Sequence, residues 1–207
     1  MIRQNSIKKP ILQKEAFSLQ MITKIGLLSA IAFVLMLLEL PIPLFPVFLK
    51  MDISDLPALI GGFALGPVAS IIIQLIKNIF HFIMKNDGTG GAGNLANFIV
   101  GISFTVPASI IYLKNKNRSG AQIGMIVGTI TMAILSSLAN YYVLIPLYAK
   151  LYSMEAIMAM MAQANKNMVD VKAYVVYGVI PFNLMKAILT SIVTLLIYKK
   201  VSPILHK

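Results

Sequence analysis

The chain has 207 residues, 58% of them apolar and 12% charged, with a mean hydropathy of +0.83. A soluble domain carries about a quarter charged residues, so this composition indicates a single-domain integral membrane protein with surface facing lipid. The absence of cysteine excludes disulfides, thiolate chemistry and cysteine-ligated metals. The net charge of +11 lies mostly at segment ends, where the positive-inside rule accounts for it, and no nucleic-acid partner is expected.

Residues 1–18 form a basic tail with Arg3, Lys8, Lys9 and Lys14. They contain no apolar stretch followed by small residues at a cleavage site, so no cleaved signal peptide is expected. Apolar runs predict helices near 20–40, 55–66, 68–84, 94–113, 121–148 and 173–198. Residues 56–84 read either as one long helix or as two helices folded at Gly66-Pro67.

Charge distribution favours the second reading and six spans. Both termini and the loop 114–120 then share one side with Arg3, Lys8, Lys9, Lys14, Lys24, Lys114, Lys116, Arg118, Lys199, Lys200 and Lys207, against Glu15 alone. On the other side Lys50, Lys85, Lys150, Lys166 and Lys172 are offset by Glu39, Asp52, Asp55, Asp87, Glu155 and Asp170. Lys/Arg bias sets orientation, so the predicted fold is all-α, with six transmembrane helices and both termini cytoplasmic.

The second span, starting after a Ser54 N-cap, is only about 18 Å long at 1.5 Å per residue. It cannot cross a hydrocarbon core of about 30 Å alone. The outer loop 41–53 should therefore dip into the protein, where non-helical backbone is tolerated if it lines a cavity. Pro41, Pro43 and Pro46 forbid regular helix there, and the loop is expected to form the lid or wall of an outward-facing cavity. In the outer loop 149–172, Met154, Ile157, Met158 and Met161 recur at helical spacing and predict a short amphipathic helix at the outer surface, packing or serving as a lid.

Asn97, Asn140, Asn183 and Lys186 stand inside otherwise apolar segments, all toward the predicted outer side. Asn183 and Lys186 share a helix face, with Pro181 just before them. A polar side chain at membrane depth is costly unless it meets protein, water or a ligand. Each asparagine alone could simply tie helices together. Four polar groups at one depth predict a pocket for a flat, uncharged, hydrogen-bonding ligand.

The stretch 88–94, Gly-Thr-Gly-Gly-Ala-Gly-Asn, lacks the lysine and hydroxyl of a phosphate-binding loop and reads as a turn over the cavity. Lys77 and His81, four apart, fit either a proton relay or a snorkelling lysine with a capping histidine. No carboxylate is expected deep in the membrane, which argues against secondary active transport. His81 and His206 do not suggest a metal centre, no nucleophile sits beside a base, and neither enzymatic activity nor a cofactor is expected. Gly26-x-x-x-Ala30 on the first span is a small-residue pattern suited to a partner helix.

The order of these features resembles the riboflavin-specific substrate-binding (S) components of bacterial energy-coupling-factor transporters. The resemblance covers nearly the whole chain. It rests on Lys50-Met-Asp52-Ile-Ser-Asp55-Leu-Pro57, Gly61-Gly-Phe-Ala-Leu-Gly66-Pro67, Gly93-Asn94-Leu-Ala-Asn97-Phe, Asn140-Tyr-Tyr with Pro146-Leu-Tyr148, and Pro181-Phe-Asn183-x-x-Lys186. It implies six helices in the bacterial cell membrane, a vitamin site near the outer face closed by the first loop, and no ATPase activity of the chain itself. It also implies partners: a transmembrane T subunit and two ATPase subunits. Members of the family dock through an Ala-x-x-x-Ala pattern on the first helix, where this chain has Gly26 and Ala30.

An asparagine amide presents a donor beside an acceptor, which suits the uracil-like edge of riboflavin. Lys186 would donate to ring carbonyls or ribityl hydroxyls, and Leu44, Phe45, Val47 and Leu49 would cover the apolar end of the ring. The alternative is a stand-alone proton-coupled transporter of a small polar aromatic solute, working through Lys77 and His81.

Overall fold

The computed structural model describes residues 18–85 and 89–205. The residues Arg3, Lys8, Lys9, Lys14, Glu15, Asp87, His206 and Lys207 lie outside that description, as does Gly88 at the head of the glycine-rich stretch. Five helical runs are long and apolar enough to cross a membrane: Leu19–Leu37, Pro67–Met84, Ala92–Lys114, Arg118–Tyr152 and Val171–Ile197.

Helix α1 (Leu19–Leu37) opens at Ser18, whose hydroxyl accepts the Met21 N–H at 3.2 Å. Ile25, Ser29, Ala32 and Met36 form its buried stripe against α2 (Asp55–Leu65) and α3 (Pro67–Met84), while Leu27, Ile31 and Val34 face outward. Gly26 and Ala30 lie on the outward side, and a Cβ added at Gly26 would meet nothing within 4 Å.

The segment after α1 is a short hairpin. Strands β1 (Leu40–Pro41) and β2 (Lys50–Met51) pair antiparallel, with Leu40 opposite Met51. A turn bonding Phe45 N–H to the Ile42 carbonyl (2.9 Å) puts Leu44 at the tip.

Helix α2 ends at Gly66, which holds φ at +97°, a conformation that favours glycine. Pro67 then starts α3, where its missing N–H leaves no bond unmade. Ser54 precedes α2 but its side chain does not cap the helix. Its hydroxyl donates to Asp52 instead, because that buried carboxylate needs donors.

Helices α4 (Ala92–Lys114) and α5 (Arg118–Ala139) approach closely through small residues. A Cβ at Gly124 would stand 2.6 Å from the Ala108 carbonyl oxygen, and one at Gly128 would stand 2.5 Å from that of Phe104. Below the cavity Phe63 stacks on Tyr112 at 4.3 Å between ring centres.

Two prolines shape the last helices. A π-helical turn, Asn140–Leu144, joins α5 to α6 (Ile145–Tyr152), one turn ahead of Pro146. A second, Val175–Val179, joins α8 (Val171–Tyr174) to α9 (Ile180–Leu205), one turn ahead of Pro181. Proline has no N–H and crowds the carbonyl four residues back; a π register absorbs the mismatch without breaking the helix. Between them lies α7 (Met154–Ala164), whose Ile157 and Met161 pack into an apolar cluster with Leu144, Tyr148 and Tyr174.

Candidate functional site

The two π turns touch each other and the first meets α4, and a cavity of about 330 Å³ opens between the first π turn, α4, α9 and the hairpin. That volume falls in the usual range for small-molecule sites. Asn97, Asn140, Asn183 and Lys186 all line it, although they come from α4, the first π turn and α9. The hairpin contributes Val47, Phe48 and Leu49, and α7 contributes Ile157 and Met160. Aromatic wall comes from Phe48, Tyr148 and Phe182; Phe48 lies 5.3 Å from Tyr148 between ring centres.

Most of these amides are already anchored. Asn140 donates to the Ser136 carbonyl (2.8 Å) and accepts from the Tyr174 hydroxyl (3.1 Å). Asn183 donates to the Val179 carbonyl (2.9 Å) and to Ser136 Oγ (3.2 Å). Each amide bonds the carbonyl four residues back along its own helix, as Asn78 does in α3. Asn97 donates to Asp52 Oδ2 at 3.3 Å, while its buried Oδ1 has no partner among the described residues. It is a buried acceptor left unsatisfied within the described structure.

Beneath the cavity lies a buried charge cluster. Lys186 Nζ meets Asp52 Oδ2 at 2.9 Å and Asp55 Oδ2 at 3.4 Å. Lys77 Nζ meets Asp55 Oδ1 at 2.7 Å and Ser54 Oγ at 2.6 Å, and Gln74 donates to the same carboxylate at 2.9 Å. Asp52 at the base of the hairpin is thereby tied to α4 and α9. Charges of both signs balance here, as buried ions require.

Two expectations fail at this cluster. Lys77 does not snorkel; it is wholly buried, because a carboxylate stands within reach. Asp52 is 4% exposed and Asp55 is fully buried within the protein, each compensated by a lysine from another helix. Lys77 and His81 do not form a relay with each other, since they bond to separate partners.

A second cluster marks the cavity's rim. Glu39 accepts from Lys50 and Lys85, each at 2.9 Å, and His81 Nε2 lies 3.7 Å away. Burial alone would push the Glu39 carboxyl up, but His81, Lys50 and Lys85 outweigh it and lower its pKa from 4.5 to about 2. His81 Nδ1 and Asn94 Oδ1 share a hydrogen bond of 2.8 Å. Nearby, Gly90 and Gly91 hold φ at +58° and +88°, turning the chain into α4 so that Gly93, Asn94 and Asn97 reach the cavity.

Of the loop residues singled out from sequence, Val47 and Leu49 line the cavity. Leu44 does not; it is 69% exposed at the hairpin tip. Phe45 stands one layer back, edge-on to Phe182 at 5.2 Å. Sequence reasoning did not assign Glu39, Asp52, Asp55, His81, Asn94, Phe48 or Tyr148 to the site. A signal existed for Asn94, which lies three residues before Asn97 and so on the same helix face. Asp52 gave none, because its lysine, Lys186, is 134 residues away.

The family model "ECF transporter, substrate-specific component" matches residues 20–198. The riboflavin transporter RibU of Staphylococcus aureus is 39% identical over 183 residues, which are 88% of this chain and 90% of that protein. The riboflavin transporter FmnP of Bacillus subtilis is 36% identical over 180 residues, 86% of this chain and 90% of that one. A solved structure described as the S component of a bacterial ECF transporter superposes with a TM-score of 0.71 at 36% identity, covering 91% of this chain and 98% of its own. Apolar helices, an internal cavity and this likeness over nearly the full length agree: the chain is a multi-pass membrane protein, a transport component rather than an enzyme, and belongs to the substrate-specific components of ECF transporters.

Proposed function

We propose that this chain captures riboflavin at the outer face of the bacterial cell membrane and hands it inward with the help of partner subunits. The observation that carries this reading is the convergence of Asn97, Asn140, Asn183 and Lys186 on one cavity walled by aromatic side chains. Flat ring surface buried there contributes about 25 cal/mol per Å². The unpaired Asn97 Oδ1 offers an acceptor to the donor of the ring's uracil-like edge, and Lys186, with three N–H donors, can serve a ligand acceptor as well as Asp52 and Asp55. The relatives named as riboflavin transporters support this ligand.

In this reading the chain crosses the membrane six times with both ends in the cytoplasm, α2 and the hairpin together making the second crossing. The hairpin, through Val47 and Leu49, covers the ligand. The chain carries no phosphate-binding loop, so release is driven by two ATPase subunits through a transmembrane T subunit, with Gly26 and Ala30 on the outward face of α1 as docking surface. Riboflavin is cargo, not a cofactor. The proton-coupled alternative is not favoured: Lys77 pairs with Asp55 rather than with His81, and the family match is to substrate-specific components of ECF transporters.

Riboflavin titration of the purified chain, followed by flavin fluorescence, tests the site. Asn183→Ala and Asn97→Ala should each weaken binding about tenfold or more, equivalent to ~1.4 kcal/mol, in protein that remains folded. Undiminished affinity in both variants would remove the site. In vesicles, uptake should require the T subunit, the ATPases and ATP; uptake by the isolated chain under a pH gradient would instead support the proton-coupled carrier.

A further inference from the structure

We propose that Asp52 is a positioning residue that sets the charge selectivity of the site: its carboxylate cancels the charge of Lys186 beside the cavity, so that an uncharged ring is accepted and an anionic one is disfavoured. The proposal deepens the riboflavin reading above and rests on it.

Asp52 directly follows β2, at the foot of the hairpin. Its side chain is wholly buried, and the cavity wall is built without it. It therefore acts on a ligand only through other residues. Oδ1 accepts the Ser54 N–H at 2.8 Å and the Ser54 hydroxyl. Oδ2 accepts Lys186 Nζ at 2.9 Å and Asn97 Nδ2 at 3.3 Å. These donors fill the acceptor sites of the carboxylate. Lys186 and Asn97 both line the cavity, from α9 and α4. One hidden carboxylate thus holds two ligand-facing side chains from distant parts of the chain.

The charge balance gives this contact a second consequence. Asp55 also faces Lys186, at 3.4 Å, but it is closer to Lys77, at 2.7 Å. Without Asp52, Lys77 and Lys186 would share Asp55 alone, and a surplus positive charge would stand beside the cavity. Charges interact strongly where water is excluded. A surplus there would draw an anionic ligand and leave a neutral one facing an uncompensated ammonium. With Asp52 in place, Lys186 still brings N–H donors for ring carbonyls, but the pair carries no net charge. The buried carboxylate also opposes any anion that approaches the lysine. At the rim Glu39, Lys50, Lys85 and His81 add their own field, which is the same in every variant below.

The test compares riboflavin with its 8-hydroxy analogue, in which a hydroxyl replaces a methyl group of the benzene end. That hydroxyl is ionised at neutral pH, and its negative charge spreads to the uracil-like edge. The two ligands are nearly equal in size and differ in charge. Both are titrated at neutral pH into the purified full-length chain, followed by flavin absorbance, and the ratio of the two affinities is read. Asp52→Asn should move that ratio about tenfold or more toward the anion, and Lys186→Met should move it the opposite way. Asp52→Glu keeps the charge and should stay within about threefold of wild type. A residue that only braced the hairpin would weaken both ligands and leave the ratio unmoved. If Asp52→Asn does not fold, the same shift is read between Lys186→Met and the double variant Lys186→Met with Asp52→Asn, which strands neither partner of that pair. An unmoved ratio on loss of the carboxylate, or an equal shift in Asp52→Glu, would overturn the assignment while leaving riboflavin as the ligand. A wild-type chain that binds no riboflavin would overturn the riboflavin reading as well.

Discussion

The two charge clusters of this protein use the same chemistry in opposite surroundings. Asp55 and Lys77 meet where neither is exposed at all; Glu39, Lys50 and Lys85 meet at the cavity rim with both lysines partly in solvent. Burial decides what such a pair is for. Deep ions gain little over a well-packed apolar pair, yet losing one partner strands the other. They therefore fix geometry: the deep cluster locks the hairpin base, α2, α3 and α9 into one arrangement under the ligand cavity. Rim ions are screened and contribute modestly, but they set the potential around His81.

The largest expected effect comes from cutting the deep cluster. Lys77→Met or Asp55→Asn should lower unfolding free energy in detergent by about 3–5 kcal/mol. The double change Asp55→Leu with Lys77→Met should recover most of that loss, because it strands no charge. Single-variant losses below about 1 kcal/mol would erase the distinction between the clusters.

Next in size is Lys186→Met. It removes the cation that faces both Asp52 and Asp55 and borders the cavity. Riboflavin affinity should drop about tenfold or more, ~1.4 kcal/mol, measured by flavin fluorescence.

The rim responds to acid in a defined direction. The Glu39 carboxyl is lower in the folded chain than its ordinary value, so its contribution to stability is complete above pH 4.5 and is lost as pH falls toward about 2. The difference in melting temperature between wild type and Glu39→Gln should therefore shrink across that interval. A gap that widens with acid would contradict the rim geometry. The smallest effect belongs to Lys85→Ala, which should cost about 1 kcal/mol or less and lose even that in high salt.

Much of this architecture can be read in one dimension, and the reason is the membrane. Long apolar runs announce helices whatever their partners, and Gly66-Pro67 announces the break that positive φ at Gly66 makes real. The asparagines were legible because an amide in an apolar run is conspicuous. The deep acids were not. Asp52 and Asp55 sit at the mouth of a proline-rich loop, where sequence suggests solvent, and their burial depends on Lys186, which lies 134 residues beyond Asp52. Leu44 is exposed at the hairpin tip because side-chain direction in an irregular loop follows its turns, here the one closed by Phe45. Pro146 and Pro181 hinted at loosened backbone, but that both would resolve as π turns, bringing Asn140 and Asn183 face to face with one cavity, required the packed helices.

The most direct test is a high-resolution structure of the chain saturated with riboflavin. The flavin should occupy the space between the hairpin and the π turns, with its ring against Phe48 and Phe182 and a donor within about 3.2 Å of Asn97 Oδ1. A flavin bound elsewhere, or an empty chamber at saturating vitamin, would contradict the assignment of these amides to ligand recognition.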